Sequence, residues 1–582
     1  MKASTRATRH GLALLAVLAT VGGSLAAVSA VAATRFDHAV RRAAAGDRYL
    51  GPVPAGRPVE FSLLLRLPGQ AELERFLAGV QDPASPSFHR YLTAAQFGRR
   101  FGLSRASIAA AVRTLRSEGL RVAQTYPQRT ALLVRGKAGD VERLLGTRLG
   151  EFVDPRGATY HRPLTPVATP AGLVPAVDGV AGLDTRPFLH PASTVPDIPP
   201  HPPLGGLYPA DIRTAYGIQP LWDLGMHGEG QAVGILSLAS FDDRDIAVWD
   251  RKFGITGLSV IHKPVGGGTT DLDIEVDLDV EMVRAVAPQA QIYDYEGRNG
   301  KGFVPILNQI MKDGLVKVVS VSWGGCDKNV SDRAKVDGLL RDMKAMGINV
   351  FVASGDSGAY GCLEGREVIP GTGRIDHSLS VIYPGDSQYV TSVGGTLLSV
   401  RADGAYLSEA AWEDVLRRAG GGGGIDPHDP RPSWQVAPGV DNPFSGAVKH
   451  REIPDVSGPA DPDSGIFVIG TQKDLSTLFQ RQALASPVGG TSAAAPFWAA
   501  STALIQQYAA QHGVPKLGPL NEVLYGLAST AQPFPPFHDV VLGRNLYYRS
   551  TPGWDFATGL GSPDVLNVAR DAVVYLKRNP PP

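Results

Sequence analysis

The chain is poor in cysteine: Cys326 and Cys362 are the two in 582 residues. That excludes a scaffold held by many disulfides and leaves one bridge or two buried thiols. A second long apolar run is also missing, since beyond the N-terminus no segment approaches the 18 apolar residues of a membrane span. Nor is there an internal repeat, which excludes a solenoid or propeller. Net charge is zero, with 56 Lys+Arg against 56 Asp+Glu, so no overall field favours a nucleic-acid partner. The charge is nevertheless unevenly spread. Residues 1–190 hold 25 Lys+Arg and 13 Asp+Glu, and the remainder is acidic by the same margin. A basic front and an acidic back are expected to attract each other at neutral pH.

What is present begins with a targeting pattern. Lys2, Arg6 and Arg9 precede an apolar stretch that ends at Ala30-Val31-Ala32. These are the parts of a cleaved export signal over 1–32, with an uncleaved anchor as the other reading. Residues 34–190 read as a compact α/β unit, with strands at 61–67 and 130–136 and helices at 71–81, 107–120 and 140–149. The run HPASTVPDIPPHPPLGG (190–206) carries six prolines. It predicts an exposed linker open to proteolysis. Beyond it, Val- and Ile-rich strands at 231–238, 291–296, 316–322, 348–354 and 389–395 alternate with helices such as 304–313 and 332–346. That order predicts a parallel sheet flanked by helices, with a site at the strands' carboxyl ends. The run AGGGGG (419–424) reads as a flexible surface loop.

Histidine is missing where serine hydrolases use it. Ser492 follows a Gly-Gly-Thr turn and opens a helical run, a position that suits a nucleophile and equally suits a helix cap. Gly355-Asp356-Ser357-Gly358 is superficially like the nucleophile motif of trypsin-like enzymes, but no Ala-Ala-His-Cys setting accompanies it. The His-Gly pairs at His227 and His512 lie on the wrong sides of Asp356 and Ser492 for a subtilisin order. If Ser492 attacks, another group must take its proton.

The acidic run DLDIEVDLDVE (271–281) supplies candidates. It holds six acids in eleven residues, and its alternation has the period of a strand. A strand would put all six acids on one face, where they repel. A helix from about 271 to 286, capped by Thr270, divides them into two rows, with Glu275 and Asp279 at i, i+4 beside an apolar stripe. Helix is therefore the expectation. Partial burial raises a carboxyl pKa, so such a pair is suited to general-base work in acid, with Asp271, Asp273, Asp277 and Glu281 mostly solvated or standing behind the pair. An EF-hand fails because Val276 stands where that loop needs glycine. Asp539 and Asp555 flank a glycine-rich loop that reads as a Ca²⁺ site or as two turn aspartates.

Together these motifs make the chain resemble the sedolisins, serine-carboxyl peptidases with a subtilisin-like fold, from about residue 50 to the end. The matching residues are Glu275-Val276-Asp277-Leu278-Asp279, Ser354-Gly355-Asp356-Ser357-Gly358, Gly490-Thr491-Ser492 through Pro496, and Asp539-Val540 with Gly553-Trp554-Asp555. SPSFHRYLTAAQFGRRFG (85–102) is similar to the family's activation domain. The resemblance implies an α/β subtilisin-like catalytic domain at 207–582, a smaller ferredoxin-like prodomain at 33–189, and a maturation cut within 190–206. It implies that Ser492 attacks, Glu275 is the base, Asp279 tunes it, and Asp356 binds the oxyanion. It implies one structural Ca²⁺ on Asp539, Val540, Thr551, Gly553 and Asp555. Gly489, Thr551 and Ser237 depart from the family pattern. The expected protein is a secreted, acid-active, monomeric endopeptidase inhibited by its own prodomain. It acts on proteins and peptides, with no nucleic-acid partner and no stable membrane association after signal removal. A non-catalytic binding protein is the alternative, which loss of Ser492, Glu275 or Asp356 would have favoured.

Overall fold

The computed structural model describes residues 34–36, 46–82, 84–155, 157–192, 206–330, 332–363, 375–473, 481–514 and 516–578. The expected export signal and most of the proline-rich linker lie outside the described residues.

The N-terminal unit builds a four-stranded antiparallel sheet. Its elements are β1 (Pro58–Leu65), α1 (Gln70–Gln81), α2 (Arg105–Ser117), β2 (Arg121–Thr125), β3 (Ala131–Lys137), α3 (Ala138–Leu145) and β4 (Val177–Ala181). The strand order is β2-β3-β1-β4, which is the ferredoxin-like arrangement. Phe61, Leu63 and Leu65 share a core with Leu132, Val134, Val141 and Leu145. The expected helix 140–149 stops at Gly146, whose φ of 58° ends α3, and Leu149 already begins a further strand. A left-handed glycine at that position is a common helix stop.

The other side of this unit is not free. Leu73, Phe76, Val80, Phe88 and Phe97 belong to the same apolar core as the C-terminal unit. Tyr91 packs over Gly347 and Gly518, and the Leu92 N–H donates to Ala345 O at 3.1 Å. The segment 85–102 is thus the dock between the two units. The cations that cross this interface belong mainly to the C-terminal unit. Lys301 Nζ donates to Glu60 O, Lys335 Nζ to Val180 O, and Arg341 pairs with Glu74 at 3.1 Å. Among these contacts, cations of the C-terminal unit meet the front unit, one of them on the Glu74 carboxylate. The two lysines catch backbone carbonyls of the front unit.

After β5 (His190–Pro191), the C-terminal unit comprises β6 (Ala232–Ser237), β7 (Ile261–His262), α4 (Ile274–Val286), β8 (Gln291–Glu296), α5 (Val304–Asp313), β9 (Val318–Val321), β10 (Trp323–Cys326), α6 (Arg333–Ala345), β11 (Asn349–Ala353), β12 (Thr391–Val400), β13 (Tyr406–Ala411), β14 (Val456–Pro459), β15 (Ile466–Lys473) and α7 (Thr491–Gln511). The sheet runs β7-β8-β6-β9-β11-β12-β13, with β14 also beside β12. Every pairing except β12–β13 is parallel. Helix α7 packs against α4, β9, β11, β12 and β14. Its buried Ala493, Ala494, Ala495, Ala499 and Ala500 leave little side chain between backbones, so the approach is close. Cys326 and Cys362 form the disulfide, closing a loop between residues 36 apart. Among the described residues no helix is long and apolar enough to cross a membrane.

Asn308, on α5, is the polar anchor of the dock. Its Oδ1 accepts from Thr130 Oγ1 at 2.7 Å and from Gln128 Nε2 at 3.2 Å, all buried. Asn308→Ala leaves two buried donors without that acceptor, at roughly 1–3 kcal/mol. Denaturant unfolding of the full chain in a Ser492→Ala background should show a loss of that order.

Candidate active site

The acid-rich segment divides in the structure. Asp271-Leu272-Asp273 is extended: Ser240 N donates to Asp271 O at 2.7 Å and Asp273 N to Ser240 O at 3.1 Å. Of the strand reading only an isolated bridge remains, Leu272 beside Ser240. Helix begins at Ile274, and Asp273 rather than Thr270 caps it, accepting from Glu275 N at 3.1 Å. All thirteen residues of α4 are buried, so Asp277 and Glu281 are not solvated as expected. They face β15, where Glu281 accepts from Ile469 N at 3.2 Å and a Cβ on Gly470 would meet Asp277 Oδ2 at 2.6 Å. Burial first, and neighbouring carboxylates second, push both acids well above the ordinary range.

The other row turns toward the nucleophile helix. Asp279 Oδ1 accepts from Ser322 Oγ at 2.6 Å. Burial lifts Asp279 to about 8, and the Ser322 hydrogen bond opposes that rise. Ser322 also meets Ser492 in both directions, each contact at 3.5 Å: Ser492 Oγ approaches Ser322 O, and Ser322 Oγ approaches Ser492 O. Pro496 explains why the Ser492 carbonyl is available. Lying four residues on in α7, it has no N–H to give back to Ser492 O.

Asp356 lies at the carboxyl end of β11, beyond Ser354. Its Oδ1 accepts from Thr491 N at 2.8 Å and Thr491 Oγ1 at 3.0 Å, which ties it to the residue before Ser492. The glycine run 419–424 lies behind it and is buried, not a surface loop. Gly420 N donates to Asp356 O, and Gly422 N to Gly355 O. A Cβ on Gly422 would sit 2.0 Å from Ser354 O, and one on Gly423 1.9 Å from Phe556 O. Glycine serves here to bring backbone against backbone. The two His-Gly histidines are engaged elsewhere, His227 with Glu229 and His512 with Tyr508 O.

The structure therefore gathers Asp279, Ser322, Ser492, Thr491 and Asp356 around one cleft, with Glu275 one turn before Asp279. Two matching family descriptions account for most of the chain: "Pro-kumamolisin, activation domain" over residues 45–186 and "Subtilase family" over residues 265–561. Kumamolisin from Bacillus sp. (strain MN-32) is 31% identical over 553 residues, covering 88% of this chain and 91% of that protein. This chain belongs to the sedolisin family. Sedolisin from Pseudomonas sp. (strain 101) is 26% identical, covering 90% of this chain and 88% of its own length. Human tripeptidyl-peptidase 1 is 27% identical, covering 88% of this chain and 92% of its own. A solved structure of Pseudomonas sedolisin complexed with two molecules of pseudo-iodotyrostatin aligns with TM-score 0.51 at 26% identity, covering 64% of this chain and 99% of that one. As a sedolisin-family member this chain is a serine-type peptidase with an activation domain ahead of a subtilisin-like fold.

Sequence reading missed Ser322, Thr491 and Ala192. Ser322 ends a predicted strand (316–322) and Thr491 lies in the Gly-Thr-Ser motif, but a hydrogen-bond hub has no signature of its own. At the departures, Ser237 Oγ donates to the buried Asp294 at 2.5 Å, and a side chain at Gly489 would meet Ala460 O at 2.3 Å. Among the described residues, the His, Cys, Asp and Glu clusters close enough to share a cation are Cys326-Asp327-Cys362 and His262-Asp294-Glu296. The first is spent on the disulfide. In the second, the Glu296 hydrogen bond pushes His262 up to about 9, a cation itself. The loop expected to hold calcium is a separate place. There Asp539 Oδ2 accepts from Gly553 N at 3.0 Å and Asp555 Oδ2 from Thr551 N at 2.8 Å.

The buried acids make stability depend on pH. Burial raises Asp279 to about 8, Asp342 to about 7, and Asp337 and Asp461 to about 6, from an ordinary 3.8. Between those limits the folded chain keeps protons that the unfolded chain has released, so stability falls as pH rises from about 4 to about 8. His161 and His538, lowered to about 4 by burial, act oppositely below about 6.5. Between pH 6.5 and 8 the raised carboxyls and His262, raised to about 9, pull the same way. Unfolding of the Ser492→Ala protein should show declining stability there, and Asp279→Asn should make the slope shallower by up to one proton.

Proposed function

We propose that the protein is a secreted, acid-active endopeptidase made as a zymogen. Ser492 is its nucleophile, Glu275 its general base, Asp279 the tuning acid, and Asp356 an oxyanion donor. The observation that carries this reading is the Asp279–Ser322–Ser492 connection, which leads from a buried carboxyl row to the serine.

Chemistry follows from the protonation states. Burial keeps Asp279 neutral through the acidic range, so its own proton is available to hydrogen-bond Glu275 and hold that group ionised. Glu275 takes the Ser492 proton as Oγ attacks the peptide carbonyl, then gives it to the departing amine. Water hydrolyses the resulting ester by the reverse proton path. The tetrahedral oxygen is met by the Ser492 N–H and by Asp356, which donates only when protonated. Acid is thereby required at the oxyanion while one carboxylate stays charged at the base.

The proposed organisation is a signal at 1–32, an inhibitory prodomain at 33–189, a cleaved linker at 190–206 and a catalytic domain at 207–582. Calcium fits the loop containing Asp539, Val540, Thr551, Gly553 and Asp555. Asp555 is a buried carboxyl raised to about 7 by that burial, facing N–H groups of Thr551, Ala557 and Thr558. Hard oxygen ligands here would take Ca²⁺, which would neutralise Asp555 and brace the chain end behind the glycine run.

Two outcomes test this. Denatured protein should be hydrolysed near pH 3–4, in the range of carboxyl reference values, and not at pH 8. Glu275→Gln should lower that rate by about 10²–10⁴-fold, and Asp356→Ala by about 10²–10³-fold. Activity at pH 8 or an unaffected Glu275→Gln enzyme would contradict the mechanism. Separately, chelation should lower the melting temperature, and Asp539→Ala should abolish the stabilisation by added Ca²⁺.

A further inference from the structure

Apart from the residues gathered around Ser492, three neighbouring strands bring a second polar cluster together at their carboxyl ends. β6 ends at Ser237, β7 carries His262, and β8 carries Asp294 and Glu296. In register, Ser237 lies beside Glu296 and His262 beside Asp294. Residues two apart on a strand share a face, so Asp294 and Glu296 meet the others on one side of the sheet. One nitrogen or oxygen of each of His262, Asp294 and Glu296 lies within 4.8 Å of the other two. Asp294 and Glu296 are buried. The His262 side chain is 32% exposed, which leaves the cluster a way in from solvent.

The contacts within it do not balance its charge. His262 Nδ1 meets Glu296 Oε1 at 2.5 Å, and its Nε2 faces Asp243 Oδ1 at 3.4 Å. Asp294 Oδ1 accepts from Ser237 Oγ at 2.5 Å, and Glu296 Oε1 from Ser240 Oγ at 3.0 Å. Asp294 Oδ2 is buried, and among the described residues no donor reaches it. Burial first, and the Glu296 carboxylate second, push Asp294 well above the ordinary range. Two carboxylates beside one imidazolium leave a net negative charge, so a carboxyl proton must be kept as well. A dication on a neutral imidazole and two carboxylates leaves no net charge.

We propose that His262, Asp294 and Glu296 bind a divalent transition-metal ion of the Zn²⁺ type, with water completing its coordination. One imidazole nitrogen and two carboxylate oxygens form a donor set for such an ion, whereas Ca²⁺ takes six to eight oxygens. Ser237 and Ser240 stand behind the ligands and orient the two carboxylates. Ser240 also brackets the chain ahead of α4, giving its N–H to Asp271 O and accepting from Asp273 N. The bound ion therefore braces the entry to α4 together with the ends of β6, β7 and β8. Its ligands must shed protons to hold it, so it binds at neutral pH and leaves in acid.

The test titrates full-length Ser492→Ala protein with Zn²⁺ by calorimetry at about pH 7.5, where metal competes well with protons, and melts it with and without the ion. One tightly bound Zn²⁺ per chain and a raised melting temperature are expected. Losing an outer partner costs about 10–100-fold in metal affinity, so Ser237→Ala should weaken binding by that much. His262→Gln and Asp294→Asn, which remove ligands, should weaken it further and abolish the rise in melting temperature. His262 is partly exposed, so His262→Gln decides the matter even where Asp294→Asn unfolds. Absence of Zn²⁺ binding, or binding of unchanged affinity in His262→Gln, overturns the site. Displacement of the Zn²⁺ by an equal concentration of Ca²⁺ overturns its assignment to a transition metal.

Discussion

The constraint on which the rest depends is the complete burial of an acidic helix. α4 puts Glu275, Asp277, Asp279 and Glu281 inside the protein within two turns. Four ionised carboxyls there would carry a desolvation cost that single hydrogen bonds such as Ser322 to Asp279, Ile469 N to Glu281 and the Thr471 backbone to Asp277 do not offset. Protonation is the physical remedy, and it is the same remedy that a Ser–Glu–Asp mechanism needs. The fold and the chemistry therefore favour the same solution condition.

That helix is tolerable because its neighbours are mostly backbone. α7 offers alanines, and β15 offers Gly470 and a main-chain N–H. Small side chains let polar main-chain groups come within hydrogen-bond distance of carboxyls that would otherwise face hydrocarbon. Pro496 extends this logic: by withholding an N–H from the Ser492 carbonyl, it leaves that oxygen facing Ser322. Ser322 in turn touches Asp279, Ser492 and Ala192, which come from three separate parts of the chain.

Much of the fold was legible because its signals are local. QIYDYE and VPILNQIMKD form their strand and helix with the expected limits, and the βαβ alternation gives the parallel sheet. The family was legible because the motifs around Glu275, Asp356 and Ser492 are unusual together. What escaped depends on distant chain. AGGGGG looks flexible in isolation, yet it is pinned by Ser354 and Phe556, each far away in sequence. Two acids of α4 look solvent-bound from helical periodicity, yet β15, nearly two hundred residues later, covers them. The charge imbalance between halves is real, but composition does not say which atoms meet, and at the dock the catalytic half's lysines reach main-chain oxygens.

The two units are held together by apolar packing, by Asn308 and by the segment 188–192, which pairs with β10 and hydrogen-bonds Asn299. The central claim is that α4 holds protonated carboxyl groups well above their ordinary titration range. Infrared difference spectroscopy of the Ser492→Ala protein reads this directly through the carbonyl stretch of protonated carboxylic acids. At pH 6, two units above the ordinary value for aspartate, the account predicts a protonated-carboxyl band that loses intensity in Asp279→Asn. No protonated-carboxyl band at pH 6, or a band untouched by Asp279→Asn, would contradict it.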